Sequence, residues 1–173
     1  MRTTRGLLVV ALALAAGALP AAASSPPVST SFNIIGYEYA FTSKVGSFAG
    51  NGSGDAGGTV YWNARVKHDP LGSDPTYVNG GSFAMTLRGP GSSVDAVVGS
   101  FGHHGGEITT LDRGANCANQ KYLVASTLKA VSTPTTWNGA GKFQVTLTHY
   151  RHRFLGRCVA YKARVSGTVR FTY

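Results

Sequence analysis

Residues 159–171 alternate without a break: Val159, Tyr161, Ala163, Val165, Gly167, Val169 and Phe171 are interleaved with Ala160, Lys162, Arg164, Ser166, Thr168 and Arg170. Successive side chains of an extended strand point to opposite faces, so this segment is a strand with one apolar and one polar face; a helix would repeat its apolar positions every third or fourth residue. A strand this long needs a partner at each edge and a core under its apolar face. The nearest partner is the run before it, where Phe143, Val145 and Leu147 alternate with Lys142, Gln144, Thr146 and Thr148. Residues 151–157, with Gly156, form the loop that joins the two into an antiparallel hairpin.

Comparable runs occupy residues 34–42, 59–67, 82–87, 94–101, 107–111 and 121–131. With about eight strands and no long helix-forming stretch, the chain is predicted to be all-β, a single antiparallel β-barrel or a two-sheet sandwich. Val45-Gly-Ser-Phe48 recurs as Val98-Gly-Ser-Phe101, and glycine pairs at Gly57-Gly58, Gly80-Gly81 and Gly105-Gly106 each precede a strand-like run. Paired glycines admit the positive φ and close backbone approach of turns and barrel corners. The stretches Gly46-Ser-Phe48-Ala-Gly50 and Gly99-Ser-Phe101-Gly102 resemble the glycine and phenylalanine rhythm of allene oxide cyclase-like and dirigent-like barrels. That resemblance implies a barrel and carries over no catalytic residue.

Arg2 and Arg5 precede an apolar run, residues 6–19, followed by Pro20 and Ala21-Ala22-Ala23. The run is too short to span a bilayer, and its small-residue flank suits a signal peptidase. Residues 1–23 therefore read as a cleaved signal peptide, 24–31 as a flexible N-terminal segment and 32–173 as a single β domain of a secreted, extracellular protein. No later segment is apolar enough to be a transmembrane helix. In an oxidising compartment Cys117 and Cys158 should pair, and closing so long a loop stabilises by roughly 4 kcal/mol on the chain-entropy model. Strict alternation puts Cys158 in phase with Lys162 and Arg164, so the bridge is expected over the outside of the sheet, pinning residues 112–120.

Charge divides the chain. Residues 24–112 carry four Lys or Arg against seven Asp or Glu, whereas residues 113–173 carry ten basic residues and no acidic one. A basic surface of Arg151, His152, Arg153 and Arg157, backed by Lys162 and Arg164, would bind a polyanionic polymer or a saccharide. It exists only if the basic strands lie together; in a closed sheet the expectation is that strands of the two parts interleave and the acids neutralise the bases. No specific nucleic-acid motif is present.

The remaining features have plainer readings. Gly52-Ser-Gly54-Asp-Ala-Gly57 matches a dinucleotide fingerprint but runs into the β-patterned Thr59-Val-Tyr-Trp, not a helix, and reads as a flexible hairpin loop that also holds the sequon Asn51-Gly-Ser53. His103-His104, His149 and His152 show no metal-ligand spacing and read as exposed loop residues. Glu38 lies between Tyr37 and Tyr39 and is the interior candidate: it points inward if the tyrosines face solvent, although buried aromatics are the expectation. Trp137, in a polar loop, is a candidate sugar-stacking residue. No G-x-S-x-G elbow or carboxylate pair marks a hydrolase, and no catalytic residue, metal or cofactor is implied. The sequence thus points to a secreted non-catalytic β-barrel binding or surface-interaction protein. Its alternatives are a small-barrel enzyme or carrier acting on a small apolar molecule in an interior cavity, and a secreted protein inhibitor presenting residues 151–157.

Overall fold

Amphipathic strands that cannot stand alone solve their edges by closing on one another. The computed structural model describes residues 29–172 apart from 56, 73, 89–93 and 134–137. The leader and Trp137 lie outside the described residues. Eight strands follow in order: β1 (Ser29–Thr42), β2 (Val45–Gly54), β3 (Thr59–His68), β4 (Thr76–Arg88), β5 (Val94–Asp112), β6 (Gln120–Thr133), β7 (Asn138–Phe154) and β8 (Arg157–Thr172). Each pairs antiparallel with the next, and β8 returns to β1 from Ser29↔Thr172 to Tyr37↔Arg164, closing an up-and-down barrel.

The interior is filled. Phe143 sits at its centre, with Phe101 at 5.4 Å edge to face, and Trp62 and Phe83 each at 6.2 Å between ring centroids; Phe171 extends the cluster from Phe83 to Phe32. Such offset and edge-on pairs suit the ring quadrupoles. Trp62 fits because the facing residues on β1 and β2 are Gly36 and Gly50, where a Cβ would collide with backbone of the neighbouring strand. Its indole N–H donates to the Ile35 carbonyl at 3.1 Å. The interior is apolar, whereas the outer wall mixes Lys, Arg, Thr and Asn with exposed side chains such as Ile35, Tyr39, Phe41 and Tyr61. Among the described residues no helix is long and apolar enough to cross a membrane.

The predicted strand number is right through two compensating errors. The runs 94–101 and 107–111 are one strand, β5, continuous through a bulge between Phe101 and Gly106. The strand left unread is β2, whose Val-Gly-Ser-Phe-Ala-Gly-Asn-Gly-Ser-Gly has little intrinsic preference for a sheet. Tertiary packing overrides this: Gly52 lies against Asn33 so closely that a Cβ would overlap its carbonyl. Gly52, Gly54 and the sequon therefore belong to a strand and not to a flexible loop. Likewise β1 begins at Ser29, inside the stretch expected to be flexible, because Ser29 to Ser31 pair with Arg170 to Thr172.

Phe143 touches three aromatic neighbours, so Phe143→Ala is expected to cost about 3–5 kcal/mol and Phe143→Leu clearly less, measured by urea unfolding.

Candidate functional site

Strands β7 and β8 outrun their neighbours. The last β6–β7 pair is Gln120↔His149 and the last β1–β8 pair is Tyr37↔Arg164, but β7 and β8 continue with each other to Phe154↔Arg157. Residues 151–157, expected as a loop, are thus a projecting two-stranded ribbon ended by the two-residue turn Leu155-Gly156. Both turn residues have positive φ, 47° and 75°, as a type I′ hairpin requires. Gly156 suits it; Leu155 does not, and a left-handed conformation costs a residue with a Cβ about 1–2 kcal/mol.

A free two-stranded ribbon is marginally stable, and this one is fastened at its base. Cys158 is bonded to Cys117 at the end of a short 3-10 turn (Ala115–Cys117), with 5.4 Å between Cα atoms. The Arg151 backbone N–H donates to Asn119 Oδ1 at 3.3 Å, and its guanidinium donates to the Gly114 carbonyl, also at 3.3 Å. The bridge is not on the outer face. Tyr150 pairs with Lys162 and Arg151 with Ala160, which leaves Tyr161 as a bulge that reverses the phase of everything before it. Cys158 therefore shares a face with Arg151 and Arg153, on the side toward the β5–β6 connection. The same bulge puts Tyr161, expected in the core, at 62% exposure.

The chain-order topology also decides the charge question. Strands of the two parts do not interleave: β6, β7 and β8 are consecutive around the barrel. Arg153, Arg157, Lys162 and Arg164 are exposed, Arg151 is half-buried and His152 packs edge to face on Tyr161. Among the described lysines and arginines only Arg113 is paired with a carboxylate, Asp74 at 3.6 Å. Beside the ribbon, Ile35, Tyr37, Tyr150, Tyr161, Lys162 and Arg164 line a groove of about 750 Å³.

A second constellation lies inside the same end of the barrel. A bulge at Tyr39 interrupts the β1–β2 register, both Tyr37 and Tyr39 face solvent, and Glu38 points in, its side chain 4% exposed. The expectation that these tyrosines are core is thereby overturned. His149, from β7, donates from Nε2 to Glu38 Oε2 at 2.9 Å. Gly46 leaves room for the carboxylate, where any side chain would strike it. Tyr122 packs edge to face on His149 at 5.5 Å; burial pushes its phenol above the ordinary tyrosine range, an effect that Arg151 and then Arg113 oppose. The opening here, between Phe41, His68, Leu71 and these groups, is only about 40 Å³. His149, expected as an exposed loop residue, is instead part of this buried pair, and nothing local in the sequence joins it to an acid 111 positions away.

His103 and His104 stack in the β5 bulge with ring centroids 4.2 Å apart, and His104 lies on Tyr77 at 5.3 Å. Among the described residues no three His, Cys, Asp or Glu side chains gather as metal ligands. No protein-family model matches the chain, and no curated protein or solved structure matches it significantly.

Two outcomes follow. Glu38→Ala leaves the His149 N–H without its acceptor and should cost about 1–3 kcal/mol; in a double-mutant cycle with His149→Ala, purely additive losses would show that the pair is uncoupled. In ultraviolet pH titration the Tyr122 phenol should ionise above an ordinary tyrosine, and higher still in Arg151→Ala. Because the unfolded chain releases that proton first, stability is whole below the ordinary tyrosine range and falls as pH rises through it.

Proposed function

We propose that this is an exported, non-catalytic β-barrel that binds a polyanionic polymer or saccharide through its β6–β8 face. The observation that carries the reading is the chain-order barrel: it sets nine of the ten basic residues of positions 113–173 on the adjacent strands β6, β7 and β8, which hold no acid, while Arg113 is paired with Asp74. Such a surface concentrates positive potential, which Asp74 and Asp112 offset at its β5–β6 edge. The groove beside it combines Lys162 and Arg164 with Tyr37 and Tyr161, cations for acidic groups and rings for sugar faces. The interior supports this choice over an enclosed ligand, since it is packed with aromatic rings and leaves little space at its mouth. Export rests on the basic, apolar, small-residue leader and agrees with the Cys117–Cys158 bridge.

The test is retention on immobilised heparin as a function of salt. Retention should weaken steeply with ionic strength, and Arg153→Ala/Arg157→Ala/Lys162→Ala should lower the log–log slope by roughly one for each anionic group that the variant no longer neutralises. These three side chains are exposed, and unlike Arg151 none is tied to the β5–β6 connection, so a folded variant is expected. Unchanged retention would count against the basic face.

A further inference from the structure

The tip of the ribbon is apolar and its flanks are charged. Phe154 is 57% exposed and Leu155 86%, the most exposed of the large apolar side chains among the described residues. Arg153 and Arg157 flank them directly in the sequence Arg151-His-Arg-Phe-Leu-Gly-Arg157, and the paired strands carry Arg151 and Lys162 behind. Phe154 packs edge to face on His152 at 6.4 Å between ring centroids yet stays exposed, and Leu155 is not explained by folding. Leu155 occupies the position at which a type I′ turn favours Asn or Asp, with φ 47°, and so exposed a side chain recovers nothing by burial. A soluble polyanion needs only the arginines.

We infer that the β7–β8 ribbon is a membrane-docking element: resting on the polyanion reading above, it identifies the polyanion as the headgroup layer of an anionic lipid bilayer, with Phe154 and Leu155 entering the acyl boundary. The geometry matches the layering of that interface. Apolar side chains lead, and one residue behind them on each strand an arginine stands at phosphate depth, where each cation near an anionic surface adds attraction. Neither signal anchors well alone; a short apolar tip and a basic collar together do. The Cys117–Cys158 bridge and the Arg151 contacts keep the ribbon projecting, so it meets the bilayer already formed.

The experiment is cosedimentation of the chain with vesicles of equal parts phosphatidylglycerol and phosphatidylcholine, and with phosphatidylcholine alone, beside the heparin measurement. Binding is expected to the anionic vesicles and to be weak on the neutral ones. Leu155→Asn suits the turn, so its melting temperature should not fall, yet its partition should drop about tenfold or more with heparin retention unchanged. Phe154→Ser, outside the turn, should act in the same direction. Arg153→Ala/Arg157→Ala should lower vesicle and heparin binding together. If Leu155→Asn and Phe154→Ser bind vesicles like the parent, or the parent binds heparin but no vesicle, lipid docking is overturned while the polyanion reading stands. If the parent binds neither, both fail.

Discussion

The hydrogen-bonded seam between β8 and β1 is the constraint on which the rest depends. A meander left open would expose two long edges, each a template for pairing with another chain. Closing it fixes an interior of set width, and that width is filled by Phe83, Phe101, Phe143, Phe171 and Trp62, with glycines opposite the largest ring. Closure in chain order has a second effect with no bearing on stability. It keeps neighbours in sequence as neighbours in space, so a charge asymmetry written along the chain becomes an asymmetry around the barrel.

The architecture was legible because period-two alternation is a local property. Residues 143–148 and 163–171 keep the faces their alternation assigns. Where local pattern misleads, a nonlocal contact has overruled local preference. β2 is a strand because β1 and β3 flank it and because its glycines permit the close approach of β1; its own residues would not choose that state. β5 looks like two strands because Gly102-His-His-Gly-Gly breaks the alternation, whereas the ladder bulges around those residues and resumes at Gly106.

The site was legible in its parts and not in their arrangement. Its basic residues and its disulfide can be read directly, but their faces depend on the single extra residue at Tyr161. One bulge reverses the phase of every side chain before it, which is why Cys158 lies inward of the position that strict alternation assigns and Tyr161 lies outward. The bulge at Tyr39 shifts the phase of β1 beyond it, whereas Tyr37 and Tyr39, two residues apart, share the solvent face with Glu38 pointing in between them. Bulges leave little trace in a single sequence, because the extra residue need not be glycine. The meeting of Glu38 with His149 leaves none, since it follows from barrel closure across almost the whole domain.

The two constellations share an end of the barrel and a strand, and this bears on how the ribbon is held. Between His149, inside the mouth, and Arg153, out on the ribbon, lies Arg151, whose guanidinium reaches the Gly114 carbonyl and whose charge acts on Tyr122. Glu38 thus fixes β7 at the point where it leaves the barrel, and Arg151 and the disulfide fix the two strands immediately beyond it. A projecting hairpin with only its turn to define it would sample many directions, and ordering it on a partner would cost that freedom again at each encounter. Fastening each strand to the body removes most of that cost beforehand, so the left-handed Leu155 is tolerated at the tip because the ribbon's conformation is determined at its base.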